Sequence, residues 1–162
     1  MTRRVLISAG LLAVATATAA FTTAAAAKWP PWLSIESPVN PFDPTARGAA
    51  FLVHAVFREG QAQLSDLTGT AEGLVDGSRR SIPLRFDTTG RPGVFGVRRQ
   101  WPSDGTWLLR IALQHTTAIV TLDRNGSVAS VRVPTELAGG NQLPRPVGAK
   151  EIDSTLAEAA KR

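Results

Sequence analysis

The chain has 162 residues, with 18 basic side chains against 13 acidic ones, a net charge of +5 and no cysteine. The missing thiols exclude disulfide staples, thiolate metal sites and a lipid-modified cysteine. The charge excess is scattered, with doublets only at Arg79-Arg80, Arg98-Arg99 and Lys161-Arg162, and without a basic stripe nucleic acid is not an expected partner.

Taken in order, Thr2-Arg3-Arg4 supplies a basic n-region, residues 5–20 an apolar h-region, and Ala24-Ala25-Ala26-Ala27 the small residues that a signal peptidase accepts. A signal peptide over 1–27, cut before Lys28, is the expectation, with cleavage near Ala20 as the alternative. Retention as an anchor is opposed by the interrupting threonines and by a run short of the ~20 residues that span a bilayer. Cleavage leaves 135 residues, 16 basic against 13 acidic. That is enough for one domain with one core and no membrane span, in the periplasm or outside the cell.

Residues 28–48 read as an N-terminal arm and first strand. Pro30-Pro31 stiffens the entry, Leu33-Ser34-Ile35-Glu36 alternates, and Pro38, Pro41 and Pro44 forbid a helix after it. The core is expected over 49–134. Residues 48–58 are apolar on both faces, the mark of a central strand. A glycine-weakened strand over 67–75 stops at the Asp76-Gly77 turn, and residues 81–86 resume with Ile82, Leu84 and Phe86 in phase, Pro83 assigning them to an edge or a bulge. The spacing then predicts a hairpin: residues 94–101, the turn Pro102-Ser103-Asp104-Gly105, and a strand placing Trp107, Leu109, Ile111 and Leu113 on one face. Asn125-Gly126 between β-branched runs predicts a second hairpin over 118–133. Beyond Pro134, residues 135–149 read as a linker, and 150–162 as a short helix, with Ile152 and Leu156 at i and i+4, or a disordered tail.

Seven or eight short strands about ten residues apart predict an all-β, antiparallel immunoglobulin-like β-sandwich, a small closed barrel being the alternative. The run Gly90-Arg91-Pro92-Gly93-Val94-Phe95-Gly96-Val97, followed by Trp101-Pro102-Ser103-Asp104-Gly105-Thr106-Trp107-Leu108-Leu109-Arg110-Ile111, resembles the YtkA-like domain family. There a Gly-x-Tyr strand precedes a short turn and a Gly-x-Trp-x-Leu-x-Val strand, and an Ala-x-Val segment comes before them, for which Ala71-Glu72-Gly73-Leu74-Val75 is the candidate in this chain. More distantly the chain is similar to FixH-like and CopC-like proteins. The resemblance covers roughly 49–122 and implies an extracytoplasmic immunoglobulin-like sandwich, in several members tied to copper handling or oxidase assembly. This chain departs from the family in placing Phe95 where Tyr is common. It also departs in having only Met1, His54 and His115 where copper-binding members carry Met-rich stretches or several histidines.

No constellation of residues dictates a chemistry. His54 and His115 are the only histidines; as metal ligands they would need carboxylate partners such as Asp43, Asp66 or Asp104, and soft Cu(I) donors are missing. Ser103, His115 and Asp104 could be imagined as a triad, yet no nucleophile-presenting turn surrounds any serine, and Ser103 and Asp104 are turn formers. Trp29, Trp32 and Trp101 are candidates for a surface that stacks on a sugar or anchors a protein, Trp29 and Trp32 alternatively lying as an arm over the sandwich. The expectation is a non-enzymatic binding or assembly accessory domain whose partner is an envelope or extracellular protein, with no cofactor. A copper chaperone and a carbohydrate-binding module are the alternatives.

Overall fold

The computed structural model describes residues 30–161. In chain order the strands are β1 (Trp32–Glu36), β2 (Phe51–Phe57), β3 (Gly60–Gln61), β4 (Leu67–Val75), β5 (Ser78–Pro83), β6 (Asp87–Thr88), β7 (Val94–Val97), β8 (Thr106–Leu113), β9 (Thr116–Leu122), β10 (Val128–Arg132), β11 (Thr135–Ala138) and β12 (Asn141–Pro144), followed by helix α1 (Ala149–Ala159). Short 3-10 turns interrupt the connections at Pro44–Ala46 and Leu64–Asp66.

One sheet runs β1-β2-β7-β6, with β3 also on β2, and the other runs β10-β9-β8-β4-β5. All pairs are antiparallel. Taking β1, β2, β4, β5, β6, β7, β8 and β9 as strands A, B, C, C′, D, E, F and G, the two orders are A-B-E-D and G-F-C-C′, the immunoglobulin arrangement. The fold is therefore an antiparallel immunoglobulin-like sandwich. Four pieces lie outside that set: β3, β10 beyond G, and the hairpin β11–β12, which is why the described residues hold 12 strands where spacing predicted seven or eight.

The interior is filled from both sheets. Leu33, Phe51, Val53, Ala55, Phe95 and Val97 face Ala71, Val75, Trp107, Leu109, Ile111, Leu113, Ala118 and Val120 in one cluster. Burying a residue of this size is worth roughly 1.5–3 kcal/mol, so without disulfides this layer holds the sheets together. Trp107 sits where F begins and its Nε1–H donates to the Asp104 carbonyl at 2.7 Å. An immunoglobulin corner uses a tyrosine hydroxyl for the same tie to backbone a few residues upstream.

Two expectations are corrected. The segments on either side of Pro102-Ser103-Asp104-Gly105 do not pair: β7 bonds β2 and β6, whereas β8 bonds β4 and β9. They form an arch from one sheet to the other. Alternation cannot tell the two apart, because an arch and a hairpin both ask for every second residue to be apolar; only the partner strands differ. The second hairpin forms as expected, β9 pairing with β10; in its loop at Asp123–Gly126 only Gly126 takes a positive φ (77°), and Asp123 Oδ1 accepts from the amides of Asn125 (2.8 Å) and Ser127 (2.9 Å). The expected linker after Pro134 contains β11 and β12, joined through Gly139 and Gly140, both at positive φ.

Of the two outcomes expected for the C-terminal residues, helix or tail, the chain takes the helix, and it docks. Ile152 and Leu156 of α1, with Val147 before it, pack on Leu108 and Ile119 on the outer face of the β10-β9-β8-β4-β5 sheet. Two apolar side chains suffice because the sheet offers a prepared apolar patch. Left bare, Leu108 and Ile119 would be exposed on the solvent face of the F and G strands.

Candidate binding site

The structure disperses the candidate residues. Trp29 lies outside the described residues. Trp32, on edge strand β1, is 69 % exposed. Trp101 is interior, 4 % exposed and stacked on Phe51 with ring centroids 6.4 Å apart. It is therefore not available as a surface platform, because the arch carries its ring between the sheets. His54 lies on β2, half-buried, with Nε2 2.8 Å from Glu36 Oε2 on the neighbouring strand. His115 is exposed in the β8–β9 turn. Among the described residues no three His, Cys, Asp or Glu side chains gather into a group that could hold a metal. Ser103 and Asp104 precede β8 and His115 follows it. An eight-residue strand spans roughly 25 Å, so these three residues are held apart.

What the fold does assemble is a groove of about 380 Å³ between α1 and the β9–β10 edge. Its floor is Ile119 and Thr121, one wall carries Ser130 and Arg132 of β10, and the other carries Thr155 and Glu158 of α1. Helical spacing aligns Glu151, Thr155 and Glu158 along one side of α1, and the period of two aims Ser130 and Arg132 to the same face of β10.

Charge pins the rim. Arg132 Nη1 donates to Glu151 Oε1 at 3.1 Å, and its Nη2 lies 3.4 Å from Thr155 Oγ1. Arg145 Nη1 reaches Glu151 Oε2 at 2.8 Å. Hydrogen bonding from Arg145, assisted by Arg132, outweighs the opposing effect of partial burial and holds the Glu151 carboxyl below its ordinary range. The same bond raises Arg145 above its own. On the far side of the helix Arg79 donates to Glu72 and Asp153, both at 2.9 Å. The groove thus offers hydroxyls and an ion-paired guanidinium and carboxylate over a floor of Ile119 and Thr121.

No protein-family model, curated protein or solved structure matches the chain. What the strand order shows is the fold. Sequence reasoning missed the groove because its walls come from a strand and a helix that are adjacent only once α1 docks. The available signal was the pairing of Ser130 and Arg132 across Val131 with the 151, 155, 158 spacing in the tail.

Proposed function

We propose that this protein is an exported, non-enzymatic immunoglobulin-like domain, YtkA-like in character, that binds an envelope or extracellular protein as a binding or assembly accessory module. The groove between α1 and β10 carries the reading: it is open, lined by mixed polar groups, and framed by ion pairs that hold its walls in place before anything binds. Export is supported by the basic, apolar and small-residue sequence of 1–27. The YtkA-like reading is supported by the 90–111 run, which in this fold spans strands E and F and the arch between them. No helix among the described residues is long and apolar enough to cross a membrane.

Two measurements test it. A photo-crosslinking residue placed at Ser154, on the groove wall, should capture one discrete protein in the producing cell's envelope fraction, and Arg132→Glu should abolish that product. N-terminal sequencing of the same preparation should begin at Lys28. A full-length cytoplasmic chain, or crosslinks indifferent to Arg132→Glu, would remove the proposal.

A further inference from the structure

Away from the groove, the β9–β10 loop holds a residue pair with chemistry of its own. The chain has three asparagines. Asn40 precedes Pro41, which has no amide N–H, and Asn141 precedes Gln142, whose side chain crowds its own backbone nitrogen. Asn125 alone precedes a glycine, and it is exposed in the loop. An asparagine carboxamide is an electrophile within reach of the next residue's backbone nitrogen, which is what makes the residue thermolabile. The fold needs the glycine: Gly126 has φ 77°, and a β-carbon there would stand 2.8 Å from Arg99 Nη2 and 3.0 Å from Trp101 Nε1. The residue that packing requires at 126 is thus also the one that least obstructs the attack.

The loop restrains that pair. Gly126 N–H donates to the Asp123 carbonyl at 3.0 Å, so the nucleophile's proton is engaged. Asp123 Oδ1 accepts from the amides on either side of it, Asn125 at 2.8 Å and Ser127 at 2.9 Å. Ring closure must swing the Gly126 nitrogen off its acceptor and toward Asn125 Cγ, which requires the loop to open locally. On the other side, Arg99 Nη1 donates to the Asn125 backbone oxygen at 2.9 Å.

We propose that Asn125 is a self-modifying site, which converts to isoaspartate and aspartate at a pace set by the Asp123 clamp and with a product ratio set by Arg99. The Gly126 nitrogen gives its proton to solvent base and attacks Asn125 Cγ; the Cγ–Nδ2 bond breaks, ammonia leaves, and a succinimide closes. Water then adds to one of the two ring carbonyls and breaks that carbon's bond to the Gly126 nitrogen. Attack at Cγ gives isoaspartate's counterpart only when the other bond is kept: opening at Cγ leaves aspartate in a normal chain, and opening at the main-chain carbonyl leaves isoaspartate, whose chain runs through Cγ. Arg99 donates to that main-chain oxygen. It therefore polarises this carbonyl toward water and meets the carboxylate formed there with a charge-assisted bond. Either product places an acid where a neutral side chain stood, beside Arg99.

Peptide mapping by tandem mass spectrometry reads the outcome on the full chain, aged in mildly alkaline buffer with and without guanidinium chloride. The peptide carrying residue 125 should gain the mass of an amide-to-acid exchange and resolve into an isoaspartate and an aspartate form, while Asn40 and Asn141 keep theirs. The denatured chain should react faster than the folded one. Asp123→Ala, which frees two amides, should speed the folded chain about fivefold or more. Arg99→Gln should lower the isoaspartate share in the folded chain and match the parent in denaturant, where Arg99 is no longer held at the carbonyl. An unchanged Trp107 indole resonance certifies that each variant is folded, and the comparison of folded with denatured parent needs no variant. The inference is overturned if residue 125 survives in denaturant, if the folded parent reacts as fast as the denatured one, if folded Asp123→Ala keeps the parent's rate, or if folded Arg99→Gln keeps the parent's product ratio.

Discussion

Trp107 binds three parts of the fold at one residue: its ring enters the inter-sheet core, its N–H ties the arch at Asp104, and its face covers Gly73 on the paired strand. A β-carbon at Gly73 would stand 2.5 Å from the Trp107 ring, closer than any real contact. Gly73→Ala should therefore destabilise by ~1–3 kcal/mol through overpacking, read as a lower urea midpoint at unchanged slope. In a Trp107→Leu background the added methyl should cost much less, since the two sites share one contact and their effects do not add; equal costs in both backgrounds would show that the ring is not what excludes the side chain. Trp107→Phe keeps most of the packing but leaves the Asp104 carbonyl without its donor, a loss of about 1–2 kcal/mol. The inward phase of Trp107 was legible in its alternation with Leu109, Ile111 and Leu113. The need for glycine across from it was not, because Gly73 reads in sequence as a weak strand residue, and only the β4–β8 register reveals it as the place the indole occupies.

At the scale of elements, α1 shields Leu108 and Ile119, which are 0 % and 1 % exposed, and leans on Ile152 and Leu156 to do so. Leu156→Ala should cost about 2–5 kcal/mol for the helix–sheet contact and raise hydrogen exchange in 149–159 before it touches β8. The helix should also respond to acid. Glu151 has a depressed folded-state pKa, so its contribution is fully present above the unfolded glutamate value of ~4.3 and is lost as pH falls through the lower folded value. Protection of 149–159 should accordingly decline below about pH 4.3, and Glu151→Gln should remove that acid dependence while lowering protection at neutral pH. An acid response of the same size in Glu151→Gln would assign it to another group. This is where sequence and structure part. Ile152 and Leu156 marked a helical stripe, but a stripe that thin has no fixed fate without knowing that two outward residues of β8 and β9 await it. The hairpin β11–β12 was hidden because Gly139-Gly140 and the nearby prolines look the same in a linker as in a turn. The groove depends on α1 docking beside β10, and so it became visible only with the tertiary fold.

Among the described residues the two sandwich sheets end in four edge strands, β1, β6, β10 and β5, each a template for pairing with another chain. Each is blunted in a different way. β6 is two residues long, β10 is broken by a bulge between Val128 and Ser130, β1 follows directly on Pro30-Pro31, and β5 carries Arg79 and Arg80 and ends at Pro83. Of these, β5 is the longest regular edge, pairing with β4 over six residues from Ser78 to Pro83, so its protection rests most on side-chain chemistry. Arg79 is committed to Glu72 and Asp153, which leaves Arg80 and Pro83 as the separable guards. Replacing Arg80 by Val removes a charge that a second strand would have to desolvate, and replacing Pro83 by Thr restores a backbone donor and lets the strand run on. The double variant should keep the sandwich, judged by the Trp107 indole resonance, while light scattering detects concentration-dependent dimers or larger species absent from the parent. A strictly monomeric double variant would show that the edge is kept free by its twist or by α1 nearby rather than by these two residues.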